Sequence, residues 1–574
     1  MNASPDNQLK KNEPNSSGEI ACSDGENAKP HRYDSVARLM RQPPLIFLIL
    51  FVVSLLVIHL VYHGVHSTFL RAESGLDLKE ASQWASARAR LKTSFTESYG
   101  GHYTPFAFGT ELGIAAIVGP NGKWWVFQQE VGMALVAVAF LSLFQSVFGG
   151  YRKPLVVILY AGLASLFIFA PIVIELVAWP FMIMQILWAA FTIWSLSWIV
   201  MMANALNERE GRNANRYAIF AALCGYISIN LFGLGLATMA GLIMVLIAVA
   251  FVTLRWKLPY FQRKAFYGLI ASATLLTACH AAAMVLLVAK DSPKHRLPSG
   301  AHDWFVHLSK MLGYVSCYFF ACVRCVWSPD GFPAPDMNAL ASDWPYGAAM
   351  ILCALGCAIA LGKSERKMGT CSNPLVRLCL LLFSLMAFLV SVAMVAYRNL
   401  DATESYFGYL VGSRYLWPGA ISLAGCALSL KDWSIVSTRT VALLIGLPIL
   451  LSGIIANLAY QHKVIPKIQP WSKISHQTVW DSSASMIAEL QRAQLPIPNI
   501  VANNLGEFPV DTKSLEPAMR RYSKVSAGKE IDWLEMSAIN GPVWRRMLDE
   551  SPSLRKLVRL LSIPAPEMPA VPSK

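Results

Sequence analysis

Residues 44–62 read PLIFLILFVVSLLVIHLVY and contain no acidic residue, lysine or arginine. An apolar run of about 20 residues is long enough to cross the hydrocarbon core of a bilayer as a helix. A helix is favoured there because it pairs its own backbone N–H and C=O groups, for which lipid offers no partners. Similar runs recur along the 574 residues, of which 55% are hydrophobic and 15% are charged. The sequence therefore predicts an all-α polytopic membrane protein rather than a soluble domain.

About eleven membrane-spanning helices are predicted from these runs. Their expected bounds are 43–62, 125–148, 154–174, 180–202, 217–234, 235–254, 265–289, 345–361, 378–397, 415–430 and 441–460. Residues 304–327 are also apolar but contain Lys310 and Arg324, which favours an interfacial or re-entrant helix. If residues 304–327 cross the membrane instead, the number of spans is twelve.

The distribution of lysine and arginine predicts which ends of the helices face the cytoplasm. The chain carries a formal net charge of +14, and its basic residues cluster between the apolar runs. Cytoplasmic loops of membrane proteins carry such an excess. Nucleic acid is not expected as a partner, because no long basic stripe with interleaved aromatic residues is present. We expect a multi-pass membrane protein whose N-terminus is cytoplasmic.

This topology divides the chain into three regions. Residues 1–42 are polar and poor in aromatic residues, which predicts a disordered cytoplasmic tail. The transmembrane domain, residues 43–460, contains two large outer loops, 63–125 and 290–344. Within the first loop, residues 77–95 have the spacing of an amphipathic helix lying in the membrane interface. Residues 461–574 are expected to be periplasmic and to form a small α/β domain.

Many acidic residues, and several arginines, are expected at the periplasmic face of this arrangement. Glu130 and Glu175 stand out, because an ionised side chain within or against an apolar run is costly and often functional. Such a face suits transfer of a sugar from a lipid phosphate donor. Transfer needs a carboxylate to take the proton of the acceptor hydroxyl, and Glu73, Asp77 and Glu175 are the candidates. Arg398 and Arg414 are candidates to hold the phosphate.

Three motifs resemble segments of the GT-C superfamily of membrane glycosyltransferases. The bacterial branch similar to protein O-mannosyltransferases and tetratricopeptide-containing mannosyltransferases is the nearest. Residues 101–106, GHYTPF, resemble the family's GHYRPL segment, and residues 171–179, PIVIELVAW, resemble its HPVHVEAVAW segment. Residues 413–416, SRYL, match a late SRYL motif. The order of these motifs, rather than any single one, carries the resemblance.

The resemblance implies a polyprenyl-phosphate sugar donor and a catalytic carboxylate in the first outer loop. It assigns the base to Glu73, with Asp77 second, and assigns orientation of the acceptor or of a metal to Glu175. His102 and Tyr103 would shape the site, and Arg414 with Tyr415 would meet the donor. The acceptor is an unidentified glycan, lipid or protein. Two neighbouring carboxylates also make a divalent cation, Mg²⁺ or Mn²⁺, the candidate cofactor.

Two departures from the family keep other functions open. The family has an acidic pair after its first span, whereas this chain offers only Glu73, and Asp77 as a substitute. Ala170 and Val173 stand where the family has two histidines. A catalytically inactive scaffold with the same fold is therefore one alternative. A lipid or solute transporter is the other, although it would call for charges in the middle of the bilayer and for internal repeats.

Overall fold

A computed structural model describes the membrane helices and part of the C-terminal region. The described residues are 44–62, 92, 95, 103–107, 109–110, 122–148, 154–170, 173–178, 182–254, 261–291, 318–319, 322–323, 352, 374–398, 413–429, 445–468, 470–471, 474–475, 485, 489–490, 492–495 and 541–560. Within this part the structure is helical, apart from the antiparallel two-residue strands β1 (Pro470–Trp471) and β2 (Ile474–Ser475). The predicted tail, amphipathic helix 77–95, loop 290–344 and span 345–361 lie almost entirely outside the described residues.

Thirteen helices are present in the described part of the chain. In chain order they are α1 Pro44–Tyr62, α2 Gly122–Phe148, α3 Pro154–Ile168, α4 Val173–Ala178, α5 Ile183–Asn207, α6 Gly211–Leu231, α7 Gly235–Leu254, α8 Arg263–Asp291, α9 Pro374–Arg398, α10 Ser413–Ser429, α11 Leu447–Ile468, α12 Gly541–Glu550 and α13 Pro552–Leu560.

Five of the described helices are long and apolar enough to cross a membrane, which confirms a multi-pass membrane protein at the level of length and composition. They are α2, α5, α7, α8 and α9, and shorter apolar stretches lie in α1, α3, α10 and α11. Large apolar side chains such as Leu60, Phe251 and Leu286 are exposed on the helix surfaces. Lipid is the solvent that suits such surfaces. The full count of eleven or twelve spans stays a prediction.

The third predicted span differs from the observed structure. Residues 154–174 were expected to form one helix, but α3 ends at Ile168 and the short helix α4 follows from Val173. Pro171 explains the break, because proline has no N–H for the helical ladder and disfavours the helical conformation in the residue before it. The break places Glu175 on a separate short helix.

Glycines allow neighbouring helices of the bundle to pack closely. Apolar contact alone does not specify which helix faces meet, because lipid tails are equally apolar. A Cβ on Gly132 of α2 would lie 2.7 Å from Ile183 Cδ1 of α5, and one on Gly241 of α7 would lie 2.6 Å from the Phe383 carbonyl oxygen of α9. Glycine permits such close approach of helices in membranes.

A cluster of three buried hydroxyls joins α5, α6 and α7. Thr192 Oγ1 lies 3.0 Å from Ser228 Oγ and 2.8 Å from Thr238 Oγ1. Polar side chains in membrane bundles commonly hydrogen-bond across helices in this way. Because hydrogen bonds are directional, the cluster helps to set the relative orientation of α5, α6 and α7.

The described part of the C-terminal region contains a helix pair. Leu490, Met547 and Leu554 are buried, and Glu489 accepts hydrogen bonds from Ser551 and Ser553. Ser551 Oγ in turn accepts from the Leu554 N–H at 3.0 Å, so Ser551 caps the start of α13. These hydrogen bonds lower the pKa of Glu489 although its partial burial alone would raise it. The predicted α/β domain stays a prediction.

Candidate functional site

The ends of four helices are joined by polar side chains at one end of the bundle. Tyr62 Oη, at the end of α1, donates to the Ile168 carbonyl at 2.6 Å, and Trp417 Nε1 of α10 donates to the Phe167 carbonyl at 3.0 Å. These bonds satisfy carbonyls in the last turn of α3, which have no partner within the helix. We call this end, where α1 ends and α2 begins, the loop face.

Two amides on α11 complete the junction. Asn457 Nδ2 donates to the Phe169 carbonyl at 2.8 Å and to Tyr62 Oη at 3.3 Å. Gln461 Nε2 donates to the Val61 carbonyl and to Asn457 Oδ1, at 2.8 and 2.7 Å. The last long membrane helix is thus connected to the first one by buried hydrogen bonds.

A buried carboxylate lies beside this junction. Oε2 of Glu130, on α2, is 2.9 Å from Nδ1 of His59, on α1. The Glu130 side chain is fully buried, whereas the His59 side chain is 48% exposed. Gln129 and Gln185 are also buried near the loop-face ends of α2 and α5. Buried polar side chains of α2 and α5 therefore lie together near the loop face.

The segment that includes Tyr103 packs against the bundle near the loop face. The Tyr103 ring lies 4.9 Å from the His280 ring of α8, and the Phe106 ring lies 6.4 Å from the Tyr226 ring of α6. Thr104 is buried as well. Burial, and secondarily the nearby Tyr226, raise the pKa of Tyr103. This part of the first outer loop is thereby held on the membrane helices.

The opposite end of the bundle is basic, and we call it the basic end. Arg377, near the start of α9, donates to the Ser429 carbonyl at the end of α10, at 2.9 Å. Arg263, at the start of α8, donates to the Thr253 carbonyl of α7. Arg209, Arg212 and Arg216 lie in or beside the turn between α5 and α6. These arginines belong to the pattern from which the topology was predicted, and the orientation itself stays a prediction.

Four predicted site residues have their backbones at the loop face. Because α9 begins and α10 ends at the basic end, Arg398 at the end of α9 and Arg414 and Tyr415 at the start of α10 lie at the other end. Glu175 lies in α4, directly after the α3 terminus that Tyr62 contacts. The side chains of these four residues are outside the described structure, so their roles stay predictions.

The remaining predicted residues divide into two groups. Glu73, Asp77 and His102 lie outside the described residues, and Tyr103 is the one whose side-chain contacts are described. Within the described residues, no group of three or more His, Cys, Asp or Glu side chains forms a metal site. The divalent cation accordingly stays a prediction.

Sequence reasoning singled out Glu130 but missed its partner. His59 is a lone histidine one turn before the end of the first apolar run, and no local pattern connects it with a residue 71 positions later. The signal that could have found the pair was the presence of two polar residues at the same predicted depth in two consecutive spans.

No protein-family model matches the sequence, and no curated protein matches it significantly.

Proposed function

We propose that this protein is a GT-C-like membrane glycosyltransferase that moves a sugar from a polyprenyl-phosphate donor to a periplasmic glycan, lipid or protein. It would work in a bacterial inner membrane, with eleven or twelve spans and with the loop face toward the periplasm. The C-terminal region would form a small domain on the same side. The three motifs in their family order support this proposal.

One structural observation supports the reaction site in particular. The fully buried carboxylate Glu130 lies at the loop-face end of α2, next to the loop that contains Glu73 and Asp77. An ionisable residue inside a membrane helix is a functional candidate by default. Since Glu130 lies in the first third of α2, this arrangement favours chemistry at the membrane surface over transport through mid-bilayer.

The proposed residues divide the reaction between a base and cations. The acceptor hydroxyl gives its proton to the Glu73 carboxylate, with Asp77 as the substitute base, while its oxygen bonds to the anomeric carbon. The bond from that carbon to the phosphate oxygen breaks, and the electron pair remains on the phosphate. Arg398 and Arg414 stabilise the phosphate, since a guanidinium matches two of its oxygens. Glu175 orients the acceptor, or a divalent cation.

Sugar transfer by isolated membranes tests the proposal. Membranes with wild-type protein should transfer radiolabelled sugar from at least one polyprenyl-phosphate donor. Glu73→Gln should reduce transfer by roughly 10²- to 10⁴-fold, because it removes a general base. Glu208→Gln, at the basic end, is the matched control and should retain activity. Transfer that survives Glu73→Gln moves the base to Asp77, and absence of transfer from every donor and acceptor extract contradicts the enzyme.

An inactive scaffold is the second candidate, and one observation favours it. Ala170 and Val173, which stand where the family has histidines, are both buried apolar side chains. A scaffold would bind the lipid phosphate without turnover. Lipid binding together with absent transfer would therefore distinguish the scaffold from the enzyme.

A further inference from the structure

The first turn of α10 is secured less by its own backbone than an ordinary helix start. Pro418 lies inside this helix. Proline has no backbone N–H, and its ring crowds the carbonyl four residues earlier. That carbonyl belongs to Arg414, so the turn that contains Arg414 and Tyr415 lacks one helical hydrogen bond. The orientation of this turn therefore depends more strongly on contacts with neighbouring helices.

Trp417, directly before the proline, makes such a contact. Its side chain is fully buried, and its Nε1–H donates to the Phe167 carbonyl in the last turn of α3, at 3.0 Å. An indole N–H is a donor only and does not titrate, so this bond does not depend on a protonation state. The bond ties the start of α10 to one point on α3.

The acceptor lies in a segment whose carbonyls are all paired. Pro171 interrupts the helix after α3, yet four consecutive carbonyls at the break accept hydrogen bonds. Their donors, in the order of the carbonyls from residue 167 to residue 170, are Trp417, Tyr62, Asn457 and the Val173 N–H. Glu175 is the third residue of α4, directly after this segment. The pairing therefore holds the backbone of Glu175 in a fixed place relative to the end of α3.

We propose that Trp417 is a positioning residue that sets the place of Arg414 relative to Glu175. The proposal rests on the proposed function for the roles of these two residues, of which Arg414 meets the lipid phosphate. Arg414 lies three residues before Trp417, about 4.5 Å along a helix that rises 1.5 Å per residue. Without the indole N–H, the first turn of α10 moves more freely against α3 and α4, both of which α10 contacts. A displaced guanidinium then matches the phosphate oxygens less well.

The distance between two spin labels tests this geometry without any ligand. The labels are attached to Glu175→Cys and Arg414→Cys in full-length protein in nanodiscs, with the eleven native cysteines replaced. Double electron–electron resonance should give one narrow distance distribution when Trp417 is present. Trp417→Phe keeps an aromatic ring but removes the N–H, and it should broaden or shift the distribution. An unchanged distribution overturns the proposal, whatever the protein binds.

Trp188 of α5 is the matched control for Trp417. It is also buried near the loop face, but its Nε1 has no hydrogen-bond partner within the described part of the chain. Trp188→Phe therefore removes the same atoms without removing a hydrogen bond, and the distance distribution should not change. Equal broadening by both substitutions overturns the proposal. If Trp417→Phe fails to fold, benzothienylalanine at position 417 carries the test, since it has the shape of tryptophan with sulfur in place of the N–H.

Binding of polyprenyl monophosphate connects this geometry with the proposed role of Arg414. The dissociation constant is obtained in phosphatidylcholine nanodiscs from the rise in melting temperature with added lipid. Arg414→Gln should raise it about tenfold or more, because a charged hydrogen bond is lost, and Trp417→Phe roughly 3- to 10-fold. Since Trp417 acts through Arg414, Trp417→Phe should have no further effect in the Arg414→Gln variant.

The outcomes distinguish the positioning role from the proposed function. Equal loss of binding on Trp417→Phe in both backgrounds indicates a general structural effect and overturns the role, as does Trp417→Phe that binds like wild type. A broadened distance distribution in a protein that binds no polyprenyl phosphate supports the positioning by Trp417 and contradicts the proposed function instead.

Discussion

Glu208 shows how position alone changes the chemistry of a single carboxyl group. It lies just after α5, at the basic end, half-buried and two residues from Glu210. Among the described residues, no hydrogen-bond partner reaches its Oε1. Burial first, and repulsion from Glu210 second, raise the pKa of Glu208 to about 7. The acid is therefore protonated in the folded protein at pH values where it would be ionised in an unfolded chain.

The elevated pKa of Glu208 predicts a stability change between about pH 4.5 and 7. In that window the folded state binds more protons than the unfolded state, so the free energy of unfolding falls as pH rises. The contribution is complete below about pH 4.5 and is lost as the pH passes about 7. Thermal melts of the purified protein between pH 5 and 8 should show this decline, and Glu208→Gln should flatten it.

A second variant checks the cause of the shift. Glu210→Gln removes the repulsion but not the burial, so the decline should remain and move to lower pH. An identical pH dependence in wild type and Glu208→Gln would show that another group is responsible.

At the scale of elements, the packing of α7 against α9 depends on a glycine. A Cβ on Gly241 would lie 2.6 Å from the Phe383 carbonyl oxygen, a backbone atom that cannot move by changing a rotamer. Gly241→Ala should therefore separate the two helices and destabilise the protein by about 1–3 kcal/mol, the usual range for overpacking. Unfolding in detergent micelles measures the loss.

Gly268 on α8 is the matched control for Gly241. A Cβ there would meet nothing within 4 Å. Gly268→Ala should be neutral or stabilise the protein by up to about 1 kcal/mol, because alanine has the higher helix propensity. Equal destabilisation by both substitutions would contradict the close contact between α7 and α9.

At the scale of the whole molecule, the two ends of the bundle differ in composition. The loop face carries the junction of Tyr62, Asn457 and Gln461 and the His59–Glu130 pair. The basic end carries five arginines of the described helices and turns, namely Arg209, Arg212, Arg216, Arg263 and Arg377. If the lysine and arginine bias sets the orientation, the loop face is periplasmic and the basic end is cytoplasmic. The predicted topology thus assigns each end to one compartment.

Labelling of single cysteines tests that orientation. In a background with the eleven native cysteines replaced, we expect a membrane-impermeant maleimide to label Lys92→Cys from the periplasmic side. Arg209→Cys should react only after the membrane is permeabilised. Both positions are exposed, so accessibility within the protein does not explain a difference. The opposite pattern would invert the topology and place the candidate site in the cytoplasm.

The sequence by itself determined the helical membrane class and the approximate position of most described helices. A helix pairs its own backbone N–H and C=O groups, and the length of an apolar run shows whether it can cross a bilayer. Local composition is therefore enough to predict a membrane helix. The break after α3 could also have been predicted, because Pro171 is visible in the sequence. By contrast, the candidate carboxylates Glu73 and Asp77 were predicted from their place in the first outer loop and from a resemblance, and they lie outside the described structure.

Only the tertiary structure decided which residues meet at the loop face. Tyr62 contacts Asn457 across 395 positions, and His59 contacts Glu130 across 71. Hydropathy does not predict such pairs, because in a membrane the faces that pack and the faces that meet lipid are both apolar. Glycine contacts and a few buried polar groups instead determine which helices pack together. The sequence does not show which polar groups pair, because their neighbours are known only once the helices are packed.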